Sequence, residues 1–86
     1  MRLSAEPGDP GCGTYQRAKN EGRRIDIRLD GIEQTMVITA DDTEGFIKRY
    51  ASDAKGELIH SGKEFATEIV RGFVTIFISE SRSAGT

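Results

Sequence analysis

The sequence predicts a mainly β fold: a small antiparallel meander of about five to six strands, closed as a barrel or stacked as a sandwich, with an extended N-terminal arm and a short C-terminal tail. Three observations carry this reading. Residues 24–31, RIDIRLDG, alternate charged and apolar side chains and end in a hairpin dipeptide. Turn-forming clusters recur at 30–31, 41–45, 53–56 and 61–63, a spacing that leaves room only for short strands. The chain then closes on its most hydrophobic stretch, RGFVTIFISE at 71–80. The expected layout is an arm over 1–22, a β domain over 23–79 and a polar tail over 80–86.

The arm holds both prolines, Pro7 and Pro10, with Gly8, Gly11, Gly13 and Gly22. It shows no apolar period of 2.0 or 3.6 residues. Such a segment buries too little surface to offset its ordering entropy, so it is expected to be mobile unless a neighbour holds it.

From Arg24 the pattern changes. Ile25, Ile27 and Leu29 alternate with Arg24, Asp26, Arg28 and Asp30, as in a half-buried strand. Asp30-Gly31 supplies the positive-φ residues of a two-residue hairpin turn. EQTMVITA (33–40) continues as the returning strand, with Met36, Ile38 and Ala40 on one side. DDTEG (41–45) is an acidic turn ending in glycine. FIKRYASD (46–53) fits a strand with Phe46, Lys48 and Tyr50 on one face, or a helix with Asp42 or Thr43 as its cap. Gly45 in the first turn argues against the helix, and the DAKG turn at 53–56 points to a hairpin returning through ELIH. EFATEIVRG (64–72) has the same ambiguity, and its β-branched residues again favour a strand, with Gly72 marking a bulge.

The last strand raises a question of cover. Phe73 and Phe77 point one way along it, and Val74, Ile76 and Ile78 the other. Two phenyl rings at about 150–250 Å² each approach the largest apolar patch a monomer usually tolerates. Three arrangements answer it: a central barrel strand covered by the arm, a strand between a sheet and a helix at 64–71, or a face presented to another chain. Arg71, Glu80 and Arg82 flank the stretch as charged gatekeepers.

Composition excludes several classes. A chain of 86 residues is one small domain, and such domains are marginal without staples or partners. Cys12 is the single cysteine, so no internal disulfide forms. Cys12 and His60 are too few soft ligands for a structural zinc site. No run approaches the ~20 apolar residues of a membrane span, and MRLSAEPGDPGCG lacks a signal-peptide core. Residues 1–28 carry six basic against four acidic side chains and the remainder six against ten, which gives a mildly basic arm on an acidic body. That balance is poor for general nucleic-acid binding, which needs a concentrated basic face.

The chemical motifs are weak. Gly11-Cys12-Gly13-Thr14 lacks the preceding strand and the Lys of a phosphate loop. Asp41, Asp42 and Glu44 do not follow the spacing of a calcium loop. His60-Ser61 are neighbours that cannot face each other as a catalytic pair, and there is no nucleophile elbow. Phe46, Tyr50, Phe73 and Phe77 could stack bases, but only Lys48 and Arg49 lie close to them in sequence, and core packing is the simpler use. No catalytic residue, cofactor or metal site is expected.

IRLDGIEQTMVITADDTEGFIKRYASDAKGE followed by VRGFVTIFI resembles small proteins of tailed bacteriophages and prophages. The shared features are the strand–Asp–Gly–strand opening, the Ala-Asp pair before an acidic turn, and the closing Arg-Gly-Phe-Val-Thr-Ile strand, over residues 25–78. The resemblance implies a product of the virion morphogenesis region. The expected function is then a non-enzymatic virion-associated protein, a capsid decoration or connector-type accessory that binds a larger assembly through its arm and last strand. Phe73, Phe77, Arg17, Arg23 and Arg24 are the expected contacts, and phage structural proteins or a second copy of the chain the partners. The expected location is the virion, or the host cytoplasm during assembly, without secretion. Two other readings stay open: a phage inhibitor acting on a host enzyme or defence complex through an acidic surface, and a small nucleic-acid-binding barrel.

Overall fold

The chain forms nine strands and one helix among the residues described, 1–80, in a computed structural model. In order they are β1 (Arg2–Ser4), α1 (Cys12–Asn20), β2 (Arg23–Leu29), β3 (Ile32–Glu33), β4 (Val37–Asp41), β5 (Phe46–Tyr50), β6 (His60–Ser61), β7 (Glu64–Phe65), β8 (Thr67–Arg71) and β9 (Val74–Glu80). Beyond Glu80, the expected polar tail and Arg82 lie outside the described residues.

Two antiparallel sheets carry the fold, one ordered β1-β4-β5-β8 and the other β3-β2-β9. A separate hairpin, β6–β7, extends from the β5–β8 connection. Each sheet keeps two edges, so the sandwich form is realised and the closed barrel is not. The strand number exceeds about six because β1 forms in the N-terminal segment and two expected strands break, 33–40 into β3 and β4 and 64–72 into β7 and β8. The first break is at Gln34–Met36: β3 ends, Met36 takes φ 60°, and β4 begins in the other sheet. Met36, expected beside Ala40 on a strand face, is therefore 60 % exposed. The second break is at Ala66, between β7 and β8, and the chain then crosses to the other sheet at Gly72, where a bulge before the last strand was expected. A Cβ there would lie 2.9 Å from both Leu29 Cδ1 and Asp30 Oδ2, so a larger residue would have to push both side chains aside where the chain crosses close to the β2–β3 turn.

The core sits between the sheets. Leu29, Ala40, Ile47 and Val74 are buried, and Ile27, Val37, Val70 and Ile76 pack against them. The register explains the selection. Ala40 pairs with Ile47 and Ile47 with Val70 in one sheet, while Leu29 pairs with Val74 and Ile27 with Ile76 in the other. Both sheets thus turn one alternating face inward. The segments read as strands over 46–53 and 64–72 are strands and not helices, over shorter spans: β5 covers 46–50, and β7 and β8 cover 64–65 and 67–71. Asp30 (φ 52°) and Gly31 (φ 83°) make the hairpin turn as expected.

Residues 1–22 are not an extended arm. β1 adds to the edge of β4, with Leu3 opposite Ala40 and Ser4 opposite Thr39. Leu3 is 2 % exposed, and the Ser4 and Thr39 hydroxyls share a buried 2.7 Å hydrogen bond. The helix α1 packs on β1 and β2. Cys12, Tyr15 and Ala18, three positions apart on one helix face, are buried or half-buried, with Thr14 half-buried beside them. The neighbour that orders this segment is the chain's own β4.

Candidate interaction surface

The outer face of β3-β2-β9 is built by the register that fills the core. Because Ile25, Ile27 and Leu29 point inward, Arg24, Asp26 and Arg28 point outward, opposite Ser79, Phe77 and Thr75 of β9. Phe73 precedes β9 at the kink. It is 72 % exposed and Phe77 is 51 % exposed. The Arg28 guanidinium sits 5.9 Å from the centre of the Phe77 ring, within cation–π range. Arg24 pairs with Asp26 at 3.2 Å on the same face.

The arrangement answers the question of cover. Val74, Ile76 and Ile78 go to the core side, and neither the N-terminal segment nor a helix at 64–71 covers the phenyl rings. The outer face is less uniformly apolar than the strand's composition implies, because β2 sets Arg24, Asp26 and Arg28 beside Phe77 and Thr75. The phenyl groups are two anchors among charges.

Phe73 is held firmly despite its exposure. Its carbonyl accepts the Asp30 N–H at 2.8 Å, and its own N–H donates to Asp30 Oδ1 at 2.9 Å. The backbone beneath the ring is fixed at both polar groups, so presenting the ring to a partner costs little ordering entropy.

The five expected contact residues do not form one site. Phe73, Phe77 and Arg24 share the outer face. Arg17, in the last turn of α1, and Arg23 instead border a hollow of about 280 Å³ beside Ala18 and Ile78. Arg23 is engaged by Glu21 at 2.7 Å and Glu80 at 3.8 Å. Arg28 was missed, although its place in RIDIRLDG puts it on the polar side of that strand.

A second constellation lies on the outer face of the four-stranded sheet. Arg2, Asp41, Phe46 and Arg71 occupy one row across β1, β4, β5 and β8. Arg2 bonds Asp41 at 3.2 Å and Asp9 through two 2.9 Å contacts. The Arg2 and Arg71 guanidinium groups lie 5.3 and 5.9 Å from the Phe46 ring centre. The Asp9 carboxyl is held down to about 2 against an ordinary 3.8, first by the Arg2 hydrogen bond and then by the Gly11 N–H. Asp41 is lowered chiefly by the Glu44 N–H, which with the Thr43 N–H donates to Oδ1 at 2.9 Å. Asp41 thus spends its oxygens on its own turn's backbone and on Arg2, while Asp42 accepts from the N-terminal ammonium at 2.6 Å.

The four aromatic residues considered for base stacking are divided. Phe46 and Tyr50 lie on the outer face of the four-stranded sheet, whereas Phe73 and Phe77 lie on the opposite side of the sandwich. Tyr50 meets Phe65 edge-on at 6.1 Å, and His60 lies 4.7 Å from Phe65. A cleft of about 670 Å³ opens between α1 and β2–β4, lined by Tyr15, Lys19, Arg23, Arg24, Ile27 and Val37 among others. Among the described residues, no group of three or more His, Cys, Asp and Glu side chains is placed to hold a metal ion. No described helix is long and apolar enough to cross a membrane. No protein-family model, curated protein or solved structure matches the chain.

Proposed function

We propose that the protein is a non-catalytic accessory of a larger protein assembly and docks through the outer face of β2 and β9. The observation that carries this reading is Phe73: a ring 72 % exposed on a backbone fixed at both polar groups by Asp30. With Phe77 and Arg28 it makes an aromatic-and-arginine cluster, the composition that concentrates binding energy at protein interfaces. The resemblance to small phage proteins supplies the assembly, a virion shell or connector, and the role, decoration or joining.

An acidic-mimic inhibitor draws less support from the geometry. Glu6 is paired with Lys48, Asp9 and Asp41 with Arg2, Glu68 with Arg49, and Glu21 with Arg23. Much of the acidic charge on the sheets is thus answered by neighbouring cations of the same chain, which weakens the case for a mimic.

The test is co-sedimentation of the purified chain with particles of the phage whose genome encodes it. Binding is expected, and the double variant Phe73→Ser, Phe77→Ser loses it while keeping its circular dichroism spectrum. Particles that leave the intact chain in the supernatant, or that carry the double variant equally well, defeat the proposal.

A further inference from the structure

We infer that β9 pairs edge to edge with β9 of a second copy of this chain, antiparallel about a twofold axis through Ile76. This goes beyond the docking reading and does not need it, because it concerns the strand's edge and not its outer face.

β9 is the end strand of its sheet and pairs only with β2. The Phe73 carbonyl accepts from the Asp30 N–H, which sets the parity of the ladder. In an antiparallel pair, alternate residues turn their polar groups to the same neighbour. Thr75, Phe77 and Ser79 therefore bond to β2, and Val74, Ile76 and Ile78 direct N–H and C=O away from it. Among the described residues nothing pairs with that side. β9 is seven residues long, and its register with β2 runs unbroken from Arg23–Glu80 to Leu29–Val74. The usual edge protections are a bulge, a proline, a lysine or an inward charge, and residues 74–79 have none. By contrast β3, the other edge of this sheet, has only two residues.

A second copy fits this edge better than an arbitrary strand. With Ile76 opposite Ile76 of the second copy, Val74 faces Ile78, so every outward-directed residue between 74 and 78 is matched at once. The inner layer continues as apolar pairs. On the outer face Thr75 comes opposite Phe77, a β-branched–aromatic pair of the favourable kind. Such an interface is isologous and closes at two copies. It makes one sheet through both chains and sets two Phe73–Phe77 faces side by side, so a docking partner is engaged twice.

The experiment measures the mass of the full-length chain in solution by light scattering and sedimentation over a concentration series. The expected species has about twice the 9.4 kDa of one chain. Thr75→Lys with Phe77→Lys sets lysines opposite each other across the axis and weakens dimerisation roughly tenfold or more. Thr75→Glu with Phe77→Lys sets opposite charges there and retains the dimer, an outcome specific to this register. A synthetic chain N-methylated at the Ile76 amide keeps every side chain, loses the two central bonds across the axis and runs as a monomer. It also keeps the inference testable should the lysine variant fail to fold. A single-chain mass up to about 1 mM overturns the inference. So does a ladder of larger species, a dimer that survives N-methylation, or a folded Glu/Lys variant that is monomeric. The N-methylated chain leaves Phe73 and Phe77 untouched, so losing the dimer and losing the docking face are separable.

Discussion

Asp30 and Phe73 close a two-bond ring between separate parts of the chain: the Asp30 N–H donates to the Phe73 carbonyl at 2.8 Å, and Asp30 Oδ1 accepts the Phe73 N–H at 2.9 Å. Asp30 sits at φ 52° in the β2–β3 turn, where its own carbonyl is turned out of the ladder. Its side chain supplies the acceptor in place of that carbonyl. The turn and the β8–β9 kink are thereby locked together, which aims the Phe73 ring outward.

Asp30→Ala removes that acceptor and places a residue with a Cβ and no compensating polar group at positive φ. A net hydrogen bond is worth about 0.5–1.5 kcal/mol, and left-handed backbone costs an ordinary residue about 1–2 kcal/mol. The expected destabilisation is thus roughly 1.5–3.5 kcal/mol, read from urea midpoints. Asp30→Asn keeps an acceptor oxygen and tolerates αL, so it recovers most of the loss. Equal loss in both variants would detach the effect from the Phe73 bond.

Two glycines of the N-terminal segment respond to alanine with opposite sign. At Gly11 a Cβ would meet the Arg2 carbonyl carbon and oxygen at 2.7 Å, and a backbone cannot step aside cheaply. Gly11→Ala is expected to cost about 1–3 kcal/mol. Gly13 lies inside α1 with nothing within 4 Å of the added Cβ. Gly13→Ala should stabilise by about 0.5–1 kcal/mol, because glycine wastes entropy in a helix. Thermal melts of the two variants decide the matter, and a shift in the same direction would contradict it.

What was legible in the sequence follows from how local each signal is. RIDIRLDG carries its strand and its turn within eight letters, and both form as expected. The breaks at Met36 and Gly72 were not legible as sheet crossings, because each depends on where a distant strand lies. The N-terminal segment misled for a related reason. Its stripe of Cys12, Tyr15 and Ala18 is narrow and made of modest residues, and Leu3 stands alone, so nothing local reveals that β4 offers an edge. Phe73 and Phe77 were found from composition. Arg28 over Phe77 required the cross-strand register, and the outward polar groups of Val74, Ile76 and Ile78 required the ladder's parity.

Burial separates the phenyl groups from the core in a stability assay. Ile47 is fully buried, and Leu3 nearly so. Ile47→Ala and Leu3→Ala should each cost about 2–5 kcal/mol. Phe73→Ser, at 72 % exposure, should change stability by no more than about 1 kcal/mol. Chemical denaturation of the three variants checks this. A Leu3→Ala variant as stable as the parent would return residues 1–4 to the status of a loose arm.

Acid sensitivity should centre on Asp9. Arg2 and the Gly11 N–H stabilise its carboxylate, so the folded pKa, about 2, falls below the ordinary 3.8. Between these values the folded state binds fewer protons than the unfolded chain, so stability rises with pH across that window. The contribution is fully present above about pH 4 and is lost as pH falls through about 2. Asp41 is shifted the same way by the Glu44 N–H and by Arg2, so it steepens the loss at the same acid end. Arg2 stays charged throughout, which assigns the titration to the carboxylates. Melting temperature followed from pH 6 to pH 2 should therefore fall more steeply for the parent than for Asp9→Asn, which starts lower at pH 6 and converges on the parent in acid. Parallel curves would mean that the Arg2–Asp9 pair is formed too weakly in solution to tie the 5–11 loop to β1.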